Sequence, residues 1–93
     1  MDMFLKDPGA VLDYQVDWAA AISGGQSVVD SSWSVSPVES GGVQVLDSSL
    51  GGAVARVRLG GGIAGHVYDV RNRAGFSDQT VDERSLTLRV EDR

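Results

Sequence analysis

Six aspartates, one histidine and a run of glycines are the residues with chemistry to offer, and their spacing decides what each can do. Asp13, Asp17, Asp30, Asp69, Asp78 and Asp82 carry oxygens a calcium ion would accept. Calcium takes about six to eight oxygens, usually from carboxylates spaced closely along one loop. The chain has no such run, so the aspartates read as solvated side chains and no metal is expected. His66 is the sole histidine and cysteine is absent. That removes multi-histidine zinc sites, thiolate nucleophiles and disulfides. A serine hydrolase needs its nucleophile held on a sharp turn, and there is no Gly-x-Ser-x-Gly elbow to hold one. His66 is expected at a surface or strand edge, and no catalytic residue is assigned.

Gly60-Gly61-Gly62-Ile63-Ala64-Gly65 has the look of a phosphate loop but lacks the Lys-Ser or Lys-Thr ending. A strand pattern follows it, whereas an anion needs a helix N-terminus. The run is read as a connection between strands, and no cofactor is expected. Trp18 and Trp33 lie on the aliphatic faces of their segments. Core packing is their default role, with Tyr68 as a third core aromatic. Buried indoles would also exclude stacking on sugars. Phe76 sits in a polar loop, Ala74 to Asp82, and is expected at its exposed tip as a protein contact. Arg56, Arg58, Arg71, Arg73, Arg84, Arg89 and Arg93 make the basic set almost wholly arginine, with Lys6 the one lysine. That set suits bidentate pairing with carboxylates between subunits and equally a solvated mixed surface.

The elements that would hold these residues are short. The chain has 93 residues and 12 glycines, so glycine is well above its usual share of about 7%. The glycines fall in clusters roughly ten residues apart, the spacing of turns in an all-β sandwich or barrel. Leu12, Tyr14, Val16 and Trp18 alternate with Asp13, Gln15 and Asp17, the clearest strand pattern in the chain. Further strands are predicted over 26–36, 43–47, 53–59, 65–73 and 84–91. In the second, Val29, Ser31, Trp33 and Val35 share a face, and Pro37 ends it. The prediction is one antiparallel β-sandwich of about seven short strands over 10–93, preceded by an arm over 1–9.

Charge and hydropathy narrow the partners. Thirteen acidic against eight basic residues give a net charge of −5, and non-specific nucleic-acid binding needs the opposite balance. No apolar run approaches the ~20 residues that cross a bilayer, so no membrane partner is expected. The first residues are too acidic for a signal peptide, which fits synthesis in a cytoplasm.

Four stretches carry a resemblance: Lys6-Asp7-Pro8 with Leu12-Asp13-Tyr14 and Asp17-Trp18; Trp33-Ser34-Val35; Gly61-Gly62 through Tyr68-Asp69-Val70-Arg71-Asn72; and Arg84-Ser85-Leu86 through Val90. In this order they resemble a family of small tailed-phage virion proteins, the phage fiber-tail adaptor-like proteins. The sequence departs from that family between Asn72 and Asp82. The resemblance implies an immunoglobulin-like sandwich and a non-enzymatic tail-fibre-to-tail connector in the virion, assembled with other tail proteins and copies of itself. A carbohydrate-binding module for a host surface and a capsid decoration protein are the alternatives. The arm carries Phe4 and Leu5, whose burial against a partner would return about 1.5–3 kcal/mol each. Phe4, Leu5 and Phe76 are therefore the expected partner contacts.

Overall fold

Short amphipathic segments punctuated by glycine turns have one economical solution, which is to stack two sheets with their apolar faces inward. The computed structural model describes residues 2–92. Met1, in the predicted arm, and Arg93, in the arginine set, lie outside the described residues. Seven strands form: β1 (Asp2–Lys6), β2 (Leu12–Asp17), β3 (Val28–Ser36), β4 (Gln44–Gly51), β5 (Val54–Gly60), β6 (Val67–Phe76) and β7 (Val81–Val90). One sheet has the order β1-β7-β6-β3 and the other β2-β5-β4. Ala19–Ala21 makes a single 3₁₀ turn between β2 and β3.

The alternation read from the sequence becomes the inner faces. Ala55, Val57 and Leu59 of β5 meet Tyr68, Val70, Leu86, Leu88 and Val90 of the other sheet, all buried. Tyr14, Trp33 and Val35 pack partly buried against this cluster. A second cluster of Trp18, Ala55, Ala74 and Phe76 closes one end of the sandwich. Trp18 and Phe76 meet edge to face with centroids 5.8 Å apart, an arrangement that aligns the positive ring edge with a negative ring face.

Three expectations change. Residues 1–9 are not a separate arm: residues 2–6 form β1, which pairs with β7 in register from Asp2↔Leu86 to Lys6↔Val90. The pairing is parallel, so the sandwich is not antiparallel throughout. The physical reason is a strand left open on β7 and a run of apolar residues close enough to fill it. Phe76 is not at an exposed tip. β6 continues to Phe76, and the side chain is 5% exposed beneath Trp18. The turn lies beyond it, where Phe76 N–H donates to Thr80 C=O at 2.9 Å. In β3, a register shift between Val28 and Asp30 turns Val28 inward and leaves Val29 exposed. A β-bulge inserts a residue and so exchanges the faces on either side of it.

Candidate functional site

Each stretch that carries the family resemblance contributes at least one residue to a cleft on one lateral side of the sandwich. There β1 and β7 form the border of the first sheet and β2 the border of the second. Between them the cleft encloses about 330 Å³. Its walls include Phe4 from β1, Tyr14 and Val16 from β2, Trp33 from β3, and Arg84 and Leu86 from β7. Phe4 and Tyr14 close one end of it, with ring centroids 5.2 Å apart. Burial against these rings pushes the Tyr14 hydroxyl above its usual pKa.

A buried polar network links the strands behind these residues. Trp18 Nε1 donates to Asn72 Oδ1 at 2.8 Å, and Asn72 Nδ2 donates to Ser31 Oγ at 2.8 Å and to Ser32 C=O at 3.0 Å. Asn72 is fully buried with all three contacts made. The Arg84 guanidinium lies 4.6 Å from the Trp18 ring centre, and its Nη1 donates to Asp17 C=O at 3.2 Å. A cation over an indole face is attracted by the ring quadrupole. Arg84 is thereby committed to its own chain. Trp33 Nε1 is buried with no hydrogen-bond partner.

A second network holds the far end of β1. Lys6 is fully buried, and its Nζ donates to Gly61 C=O at 2.6 Å and Asp7 C=O at 2.9 Å. Loss of hydration lowers the Lys6 pKa, partly offset by the Asp7 charge. The ammonium ties β1 to the glycine run between β5 and β6. That run also takes a Gly62 N–H bond to Gly41 C=O at 3.0 Å. Gly61 and Gly62 have positive φ, and their role is close backbone approach.

Glu39 forms a third node. It accepts from the Tyr68 hydroxyl at 2.5 Å and lies 2.8 Å from His66 Nδ1. These two hydrogen bonds, Tyr68 first, hold the Glu39 carboxylate below its usual pKa. Burial and the adjacent Glu39 raise that of Tyr68. The arrangement ties the β3–β4 loop to the β5–β6 loop. His66 thus serves as a tether between loops. Among the described residues, no group of three or more His, Cys, Asp or Glu side chains is placed to hold a metal ion. Asp13 is paired instead with Arg58 at 2.8 Å, which lowers its pKa.

The residues singled out from the sequence thus separate. Trp18 and Tyr68 are fully buried, Trp33 half-buries between the sheets, and Phe76 lies in the core. Phe4 and Leu5 stay 39% and 46% exposed on β1, beside Met3 at 63%. Lys6, Asn72 and Arg84, named in the sequence only as members of the basic set or of the recognised stretches, and Glu39, not named there at all, organise the site. Asn72 shares the inward face of Tyr68 and Val70, the one polar side chain there. No helix among the described residues is long and apolar enough to cross a membrane.

No curated protein matches the chain. The family model described as "Podophage GP4 fiber-tail adaptor protein gp77" matches residues 6–89, which takes in β2 to β6, β7 up to Arg89 and every cleft residue except Phe4. The chain belongs to the podophage GP4 fiber-tail adaptor protein gp77 family.

Proposed function

We propose that the chain is a non-enzymatic connector between a fibre and the tail of a phage particle, working through protein–protein contacts in several copies. The observation that carries this is the β1 edge. Met3, Phe4 and Leu5 are all exposed on a strand whose outer side has no partner among the described residues. Natural proteins cover or charge such edges unless another chain completes them. Phe4 and Leu5 are the contact residues of this reading. Phe76, held under Trp18, is not among them. The strand order supports an immunoglobulin-like arrangement, because β7-β6-β3 and β2-β5-β4 correspond to the CFG and BED groupings of that fold. Here the first strand borders the CFG side. Both sheets end in unpaired strands, which allows copies to stand side by side. Sugar stacking loses its best platform, since Trp18 is fully buried and bonded to Asn72.

The test is a Met3→Glu/Leu5→Glu double variant. Both side chains are exposed, so the domain should keep its unfolding midpoint while incorporation into particles falls. Normal incorporation, with fibres attached, would overturn the assignment of this edge.

A further inference from the structure

β7 is ten residues long and β1 covers only half of it. The register of the pair runs from Leu86 to Val90. From Val81 to Ser85, the side of β7 that faces away from β6 has no strand beside it among the described residues. Lys6 C=O accepts from Glu91 N–H at 2.9 Å. In a parallel ladder this sets the odd-numbered residues of β7 toward β1. Glu83 and Ser85 therefore turn their backbone groups to the open edge. The Glu83 N–H is meanwhile capped by the carboxylate of its neighbour Asp82, at 2.8 Å. Such a cap is replaceable, since a strand carbonyl can take the same position.

Immediately inward of this open edge lies the 330 Å³ cleft between β7 and β2. It has the size for one large apolar side chain. Asp17 on β2 lines it, and Asp82 lies on the open stretch of β7 itself, both exposed. Arg84 is already engaged with the Trp18 ring and the Asp17 carbonyl.

We propose that the open stretch Val81–Ser85 is a strand slot. It receives an extended segment of another protein of the assembly, in line with β1, with a bulky apolar side chain in the cleft and a basic residue beside it. Unpaired main chain gives the affinity and the pocket gives selectivity, as in other strand additions. A second copy of this chain is a poor occupant. Its only lysine is buried in its own fold, its described arginines lie on β5, β6 and β7, which are already paired within the fold, and Arg84 is engaged with Trp18. The proposal rests on the connector reading above and adds the form of the partner.

The test places a photo-cross-linking residue at Ser85, with Ser34 on the outer face of β3 as the control, in assembled particles. The expected product joins Ser85 to one other particle protein, at a peptide with a basic residue next to a bulky apolar one. Ser34 should give none. Glu83→Pro removes one outward N–H and leaves the β6 ladder intact. Asp17→Lys/Asp82→Lys reverses these two charges and serves equally if the proline variant does not fold. Each should cut the Ser85 product about tenfold, the loss of a hydrogen bond or two. A Ser85 product with a second copy, no product, or a product undiminished in both variants would overturn the slot. If particles then still carry the chain through Met3 and Leu5, the connector reading survives. A chain absent from particles overturns both.

Discussion

Trp18 Nε1 and Asn72 Oδ1 meet at 2.8 Å across the two sheets, from positions 54 residues apart in sequence. The bond fastens the end of β2 to the middle of β6, and Asn72 passes the connection on to Ser31 and Ser32 of β3. One buried amide therefore links three strands. Buried polar groups are costly to leave unpaired, so a network of this kind is all or nothing.

Asn72→Ala should accordingly destabilise the domain by about 2–3 kcal/mol, because the buried Trp18 N–H loses its acceptor while the part-buried Ser31 and Ser32 bonds cost less. Trp18→Phe should cost less, since it orphans only the Asn72 oxygen and leaves most of the ring volume. Urea unfolding of the two variants measures the difference. Equal, small losses would mean that water reaches the amide and the network is not sealed.

A chain beginning at Asp7 should be less stable than the full chain. It loses the Lys6 ammonium from the Gly61 carbonyl and uncovers Leu86 to Val90 of β7. Hydrogen bonds to a charged group are worth about 1.5–3 kcal/mol each. Lys6→Ala in the full chain should show much of the same loss in denaturant midpoint. Unchanged stability in both would mean that β1 is only laid against the domain.

What the sequence showed and hid follows from these contacts. Alternation is a local signal, so the inward faces of β2, β5, β6 and β7 were legible residue by residue. Parallel pairing of β1 was not, because nothing in Met3-Phe4-Leu5 states which strand it joins, and Pro8-Gly9 reads as a break. Phe76 was misplaced because Gly75 interrupts the pattern just before it. The structure uses that glycine for contact, since a Cβ there would stand 2.6 Å from Asp30 Oδ1. The burial of Lys6 contradicts what lysine ordinarily does. It depends on carbonyls at Asp7 and Gly61 that no sequence pattern aligns. The cleft combines residues from five strands, and only the family resemblance hinted that they belong together.

Acid should weaken the Glu39 node. Its carboxylate has a folded pKa below the ordinary 4.5 because Tyr68 and His66 donate to the charged form. The unfolded chain therefore takes up the proton first. The contribution to stability is complete above the unfolded value and is lost as pH falls through the folded one. Asp13 and Asp78 are lowered in the same way, so acid sensitivity should be shared. Glu39→Gln keeps an acceptor for Tyr68 but does not titrate. The drop in melting temperature between about pH 6 and about pH 3 should therefore be smaller in the variant. An identical drop would remove Glu39 from the acid response.

Gly24, in the β2–β3 connection, and Gly61, in the glycine run between β5 and β6, offer a comparison of two substitutions at similar backbone angles. Gly24 has φ +58° and Gly61 has φ +75°. Alanine in the left-handed region costs roughly 1–2 kcal/mol in either place. The surroundings differ. A Cβ on Gly24 would meet nothing within 4 Å, whereas one on Gly61 would stand 2.5 Å from the backbone oxygen of Gly42. That oxygen belongs to a backbone already drawn in by the bond from Gly62 N–H to Gly41 C=O, so it cannot yield as a side chain could. Displacing Gly61 would also move the carbonyl that receives Lys6, and with it the anchor of β1. Gly24→Ala should therefore lose about 1–2 kcal/mol. Gly61→Ala should lose clearly more and also increase amide exchange along Leu86 to Val90 of β7, where β1 lies. If the two variants unfold at the same denaturant concentration, the backbone angle alone governs both positions. The approach of the two glycine segments would then contribute nothing to holding β1 in place.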